Sequence, residues 1–154
     1  PDNETLFWDR LPMTIAFMSL IAAQVVDRIH ARAGLLWLVP MLLVGAASVL
    51  YWRATELAGA GNVIPYGVLQ GYAVLMLLLI TVLHPSRYSR GGDIYWVFAA
   101  YLGAKLFETL DRELFVAGGM VSGHSLKHVA AAVAGLFVAR MLWRRGLLSP
   151  TPAH

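Results

Sequence analysis

Apolar residues gather into five blocks along the chain, separated by short polar joints. The clearest block, residues 34–52 (GLLWLVPMLLVGAASVLYW), runs 19 positions without a charge. That is close to the roughly 20 residues that cross a hydrocarbon core at 1.5 Å per residue. A second uncharged run lies between Glu56 and Arg87, where Asn62 and Pro65 read as a helix start and 65–83 as the crossing. Three further blocks, 11–29, 94–110 and 124–143, are apolar but interrupted by polar side chains. An ionisable residue in such a segment normally faces a bundle interior or a helix end, so Lys105, Glu108, His124, Lys127 and His128 argue for pairing or function rather than against a helix. The pattern predicts an all-α integral membrane protein with five transmembrane helices in a single domain over 1–154.

The joints carry turn chemistry at 30–34, 57–62, 84–93 and 112–123, the last leading into GHSLKH. Gly67 with Gly71, and Ala130 with Ala134 and Gly135, form small-residue faces of the kind that close helix packing in lipid favours. On the fourth helix Lys105 stands three residues before Glu108, a spacing at which the two side chains pair. Lys127 is expected to pair with Glu108 or Asp111 and so hold the last two helices in register.

Composition agrees with this pattern: 58% of the residues are hydrophobic, 14% are charged, and the mean hydropathy is +0.64, well above a soluble domain of this size. With no cysteine, disulfides and thiolate metal sites are excluded. The pI of about 9.5 raises a nucleic-acid reading, but there is no basic run, and Arg144-Arg145 beside an apolar segment fits membrane topology instead. No nucleic-acid partner is expected. Arg28, Arg32, Arg87, Arg90, Arg140, Arg144 and Arg145 fall on one side of the membrane and Arg10, Arg53 and Arg112 on the other. This bias puts the first set, and the carboxyl terminus, in the cytoplasm. Asp9, Glu56, Asp111 and the histidine pair then lie at the exoplasmic face.

His124 and His128 are the chemical signal. Residues four apart on a helix project from nearly the same side, so two imidazoles share one metal-ligand spacing. The same spacing suits buried histidines that bond a neighbouring helix. Catalytic zinc takes three protein ligands as a rule, and His30, His84 and His154 are all expected across the membrane from this pair. Asp9, in FWDRLPM at the entry of the first helix, reads equally as an N-cap and as a functional carboxylate.

Two motifs together, DRLPM at 9–13 and GHSLKH at 123–128, resemble the alkaline ceramidase family, within the seven-helix membrane hydrolases that also include the progestin and adiponectin receptors. Four of the five residues of DRLPM match the family's Asp-Glu-Leu-Pro-Met at the start of its third helix; Arg10 stands where the family has glutamate. The two histidines resemble the pair that opens its seventh helix, and LFETLDRELF resembles the stretch ahead of it, less specifically. The resemblance implies that the five helices are the last five of seven, with two amino-terminal helices outside this sequence.

It further implies a zinc-dependent amidase that cleaves ceramide-like lipids. His124 and His128 would be zinc ligands, and Asp9 would be the catalytic carboxylate hydrogen-bonding the zinc-bound water. The family's third ligand and supporting serine lie just upstream of the aspartate, before Pro1. The competing expectation is a non-enzymatic membrane subunit or a receptor-like lipid-binding bundle whose partners are other membrane proteins; aromatic pairs such as Tyr51-Trp52 and Tyr95-Trp96 suit helix ends in either case.

Overall fold

The computed structural model describes residues 2–112, 116 and 123–148, with the backbone alone at His124. The described part is helical: α1 (Asn3–Arg28), α2 (Ala31–Leu57), α3 (Ile64–Leu83), α4 (Asp93–Thr109) and α5 (Gly123–Arg144). Four of them, α1, α2, α3 and α5, are long and apolar enough to cross a membrane. The remaining block, expected over 94–110, forms a helix of 17 residues, about 26 Å long at the standard rise.

The chain divides into two compact units, residues 1–86 and 87–154. In the first, α1 and α2 form an antiparallel hairpin joined through Ile29 and His30. The joint expected at 30–34 is thus shorter than its polar letters suggest, because α2 restarts at Ala31 and carries Arg32 within its first turn. Thr14, Met18, Ala22 and Val26 recur every fourth residue and line one ridge of α1. Gly45 lies opposite Thr14 and Met18, and Gly34 opposite Ala22 and Val26, so close that a β-carbon on Gly34 would come 2.6 Å from the Ala22 carbonyl oxygen. These are the close-packing glycines of this unit. The expected small-residue face at Gly67 and Gly71 is exposed, with nothing within 4 Å of an added β-carbon at either, and the same holds at Gly135.

Phe7, Val49, Trp52 and Tyr66 form the buried cluster near the start of α1, flanked by Leu6 and Leu11. α3 begins as its letters predict, with the Asn62 side chain accepting a hydrogen bond from the Ile64 amide at 3.0 Å and Pro65 in the first turn. Pro fits there because the first helical amides have no intrahelical acceptor. The outward faces of α2 and α3 keep many large apolar side chains exposed, among them Leu36, Leu43, Val68 and Leu83.

In the second unit, α4 and α5 pack against each other around Ile94, Val97, Ala104 and Met141. Trp96 stacks on Phe137 with ring centroids 5.9 Å apart and planes 15° from parallel. Past the end of α5 the chain returns to the segment before α4 and forms an isolated antiparallel bridge, Tyr88 with Leu147.

Candidate functional site

Asp9 lies in the first unit, inside α1 rather than at its start. The N-cap is Asp2, whose carboxylate accepts the Thr5 amide at 2.7 Å. The capping reading of Asp9 is therefore overturned: a better-placed acid seven residues earlier takes the free amides, and α1 extends back to Asn3. Asp9 is half-buried, one turn before Pro12. Proline has no amide hydrogen, so the helix lacks its usual donor to the Trp8 carbonyl directly beside Asp9.

Arg10, the residue that departs from the family pattern, is held by rings. Its guanidinium carbon sits 4.0 Å from the Trp52 ring centroid and 5.3 Å from that of Tyr66. Its Nη1 is buried with no hydrogen-bond partner among the described residues. Nearby, Arg53 bonds Glu4 at 2.8 Å and lies 4.4 Å over the Phe7 ring, while Trp8 donates its indole N–H to Glu4 at 2.9 Å. Successive helical residues differ by about 100°, so Arg10 faces the α2 and α3 rings while Asp9 is rotated away from it. Thr14, Phe17, Met18, Tyr66, Leu69 and Gln70 border a cleft with a volume of only about 10 Å³, about the space of one water. An entire two-chain lipid does not fit within it.

The histidines lie in the second unit. His124 and His128 are one turn apart at the start of α5; His128 is exposed, and the side chain of His124 lies outside the described part. Between them Lys127 is buried and reaches Glu108 of α4 at 3.5 Å, and Glu108 also accepts from Lys105 at 2.6 Å. The predicted Lys105–Glu108 pair is present, and Lys127 pairs with Glu108, one of the two partners expected for it. Gly123, immediately before His124, backs onto α4: a β-carbon there would clash with the Phe107 carbonyl oxygen and lie 2.6 Å from the Asp111 Cα. The ion pair and this contact fix both the height and the rotation of the first turn of α5.

Two imidazoles on neighbouring turns supply two of the three protein donors a catalytic zinc takes. Among the described residues no three His, Asp or Glu side chains converge on one point. The His124 side chain lies outside the described residues, so of the histidine pair this concerns His128 alone, with the acids.

Sequence reasoning missed a buried polar cluster at the far end of α1. Gln24, Asp27 and Arg28 are all nearly inaccessible. Arg28 donates through Nε to the Gln24 side chain at 2.7 Å and through Nη1 to the carbonyls of Thr81 (3.2 Å) and His84 (2.7 Å) at the end of α3. Ser86 donates to the Asp27 carboxylate at 2.8 Å. Arg28, counted above among the interfacial cations, is thus a buried cap on α3. The signal was available: polar letters at positions 24, 27 and 28 share one helical face within an apolar block. Compared with protein-family models, curated proteins and solved structures, the chain matches none.

Proposed function

We propose that this chain is the carboxyl-terminal five-helix part of a membrane amidase that uses zinc to hydrolyse the amide bond of ceramide-like lipids. The observation that carries the reading is the start of α5, where positions 124 and 128 share one side of a helix whose rotation is set by Lys127 on Glu108 and by Gly123 against α4. Zinc, when bound, supplies a Lewis acid for an amide carbonyl and a nucleophile at neutral pH. His124 and His128 would hold it through ring nitrogens, and Asp9 would orient the attacking water and take its proton.

The apolar outer faces support embedding in a bilayer, with α4 at the short end of the roughly 17–25 residues that span one. With Arg28 buried, the basic bias becomes six against three and keeps its direction, so the carboxyl terminus is cytoplasmic and the site exoplasmic. A lipid substrate suits such a site: its acyl chains lie between helices and its amide meets the polar groups near the interface.

The test is zinc content together with lipid-amide hydrolysis by the full-length protein in detergent. About one zinc per chain is expected, with turnover lost in His128→Ala and in Asp9→Asn. Full activity in His128→Ala would overturn the zinc reading. The second reading, a non-enzymatic membrane subunit, is favoured by the exposed glycines Gly67 and Gly71 on α3, which offer a smooth face to helices of another protein. A metal-free, inactive full-length protein that co-purifies with a membrane partner would support it.

A further inference from the structure

The end of the second unit where α4 begins and α5 finishes assembles two basic segments into one surface. Ser89 donates its amide to the Gly146 carbonyl at 2.8 Å, Leu148 donates to the Arg87 carbonyl at 3.0 Å, and the Gly146 amide donates to Ser89 Oγ at 2.9 Å. The Arg145 guanidinium carbon lies 4.6 Å from the Tyr88 ring centroid, tying the same two segments by a side chain. Residues about sixty positions apart in the chain are thereby held edge to edge.

This bridge gathers positive charge. Arg87, Arg140 and Arg144 are exposed, and Arg145 is half-exposed on Tyr88. Of the acids described in this unit, Asp93 is bonded to Arg90 at 3.2 Å, while Glu108 and Asp111 lie at the other end of α4. α5 ends here and α4 begins here, so the negative end of one helix is offset by the positive end of the other. The exposed guanidinium groups of Arg140 and Arg144 carry the charge of this end of the unit.

Beside them stand apolar side chains with no cover: Trp143 is 91% exposed, Leu147 76% and Leu148 55%. Cations set next to bare apolar groups match an amphiphile with an anionic head better than a small free anion, which has no use for the tryptophan or the leucines. We infer that the bridged surface of Arg144 and Arg145 with Trp143 is a docking site for the headgroup of an anionic phospholipid in the adjoining leaflet. The inference rests on the chain being membrane-embedded and is independent of zinc and of hydrolysis.

The test uses the full chain reconstituted in phosphatidylcholine vesicles containing a minority of phosphatidylglycerol, with bromine on the acyl chains of one lipid or the other. Trp143 emission is taken as the difference between the protein and its Trp143→Phe variant. Quenching by brominated phosphatidylglycerol should exceed that by brominated phosphatidylcholine, at equal mole fraction of the brominated lipid, by roughly threefold or more, since each arginine at such a surface adds attraction for anionic lipid. The excess should disappear in Arg144→Gln/Arg145→Gln and persist in millimolar inorganic phosphate. Equal quenching by the two lipids in the unaltered protein would overturn the site even if the double variant does not fold. Loss of the excess in phosphate would replace the lipid with a small-anion site. Absence of quenching by either lipid would overturn the embedding itself.

Discussion

Lys127 on α5 lies 3.5 Å from Glu108 on α4, and the next residue, His128, is exposed. This ion pair, with the close approach of Gly123 to α4, ties the histidine-bearing turn to its neighbour. Lys127 is 10% exposed in its side chain and Glu108 42%, so the pair is partly shielded from the medium. Removing the lysine with Lys127→Ala should cost about 1 kcal/mol, read as a lower unfolding midpoint in detergent. The reversal Glu108→Lys/Lys127→Glu should rescue only in part, because the new lysine at 108 faces Lys105 on its own helix. Adding Lys105→Glu should restore the remainder. Full rescue by the double variant would show that Lys105 does not share the site.

Gly34 and Gly45 should be far less replaceable than Gly67. A β-carbon at Gly34 meets backbone atoms of Ala22 and Val26, which cannot move without opening the α1–α2 hairpin. Gly34→Ala should destabilise by about 1–3 kcal/mol. Gly45→Ala should cost less, since its tight contacts are with the Thr14 and Met18 side chains and the Thr14 carbonyl oxygen lies at an ordinary 3.8 Å. Gly67→Ala should be neutral or slightly stabilising, because a helical alanine is favoured over glycine by about 1 kcal/mol. Thermal unfolding of the three variants gives the order directly.

Arg28 should tolerate neither lysine nor methionine. Its guanidinium spans Gln24 and two carbonyls of α3 at once, a fork that a point-charge ammonium cannot reproduce. Arg28→Met leaves these acceptors buried and unpaired and should cost about 2–4 kcal/mol. Arg28→Lys should fall in between. Faster amide exchange in the last turn of α3 would locate the damage; unchanged exchange there would rule out the capping role.

The start of α1 should be acid-sensitive. Hydrogen bonds from Thr5, from its side chain foremost and then its backbone amide, hold the Asp2 carboxyl below its ordinary value of 3.8. For a carboxyl lowered in the folded state, the stabilisation is complete above the unfolded value and is lost as pH falls through the folded one. Protection of the Thr5 amide should therefore drop below about pH 3.8. Asp2→Asn should keep the cap and abolish this dependence, whereas Asp2→Ala should lose the cap at every pH. A wild-type acid transition that persists unchanged in Asp2→Asn would assign it to another group.

Much of this was legible along the chain because helices in so apolar a sequence are specified locally. The uncharged runs at 34–52 and 65–83, the Asn62 and Pro65 start and the Lys105–Glu108 spacing all express 1.5 Å per residue, 3.6 residues per turn and the chemistry of free terminal amides. The i, i+4 placement of positions 124 and 128 is equally local. The capping alternative for Asp9 fails because α1 begins earlier than the apolar block at Leu11: Leu6, Phe7 and Trp8 precede it in the helix, and Asp2 and Glu4 on Arg53 anchor its start.

Tertiary structure alone decided which glycines touch, that Arg28 closes α3 across 53 residues, that Trp52 and Tyr66 hold Arg10, and that Tyr88 meets Leu147. Each depends on the relative height and rotation of two helices or on a backbone carbonyl, and every residue has a carbonyl, so no letter announces the acceptor. The sequence by itself determined where the helices lie and which side chains share a face. Packing determined which of those faces meet, because helix contact is a matter of shape and distance between segments that chain order leaves free.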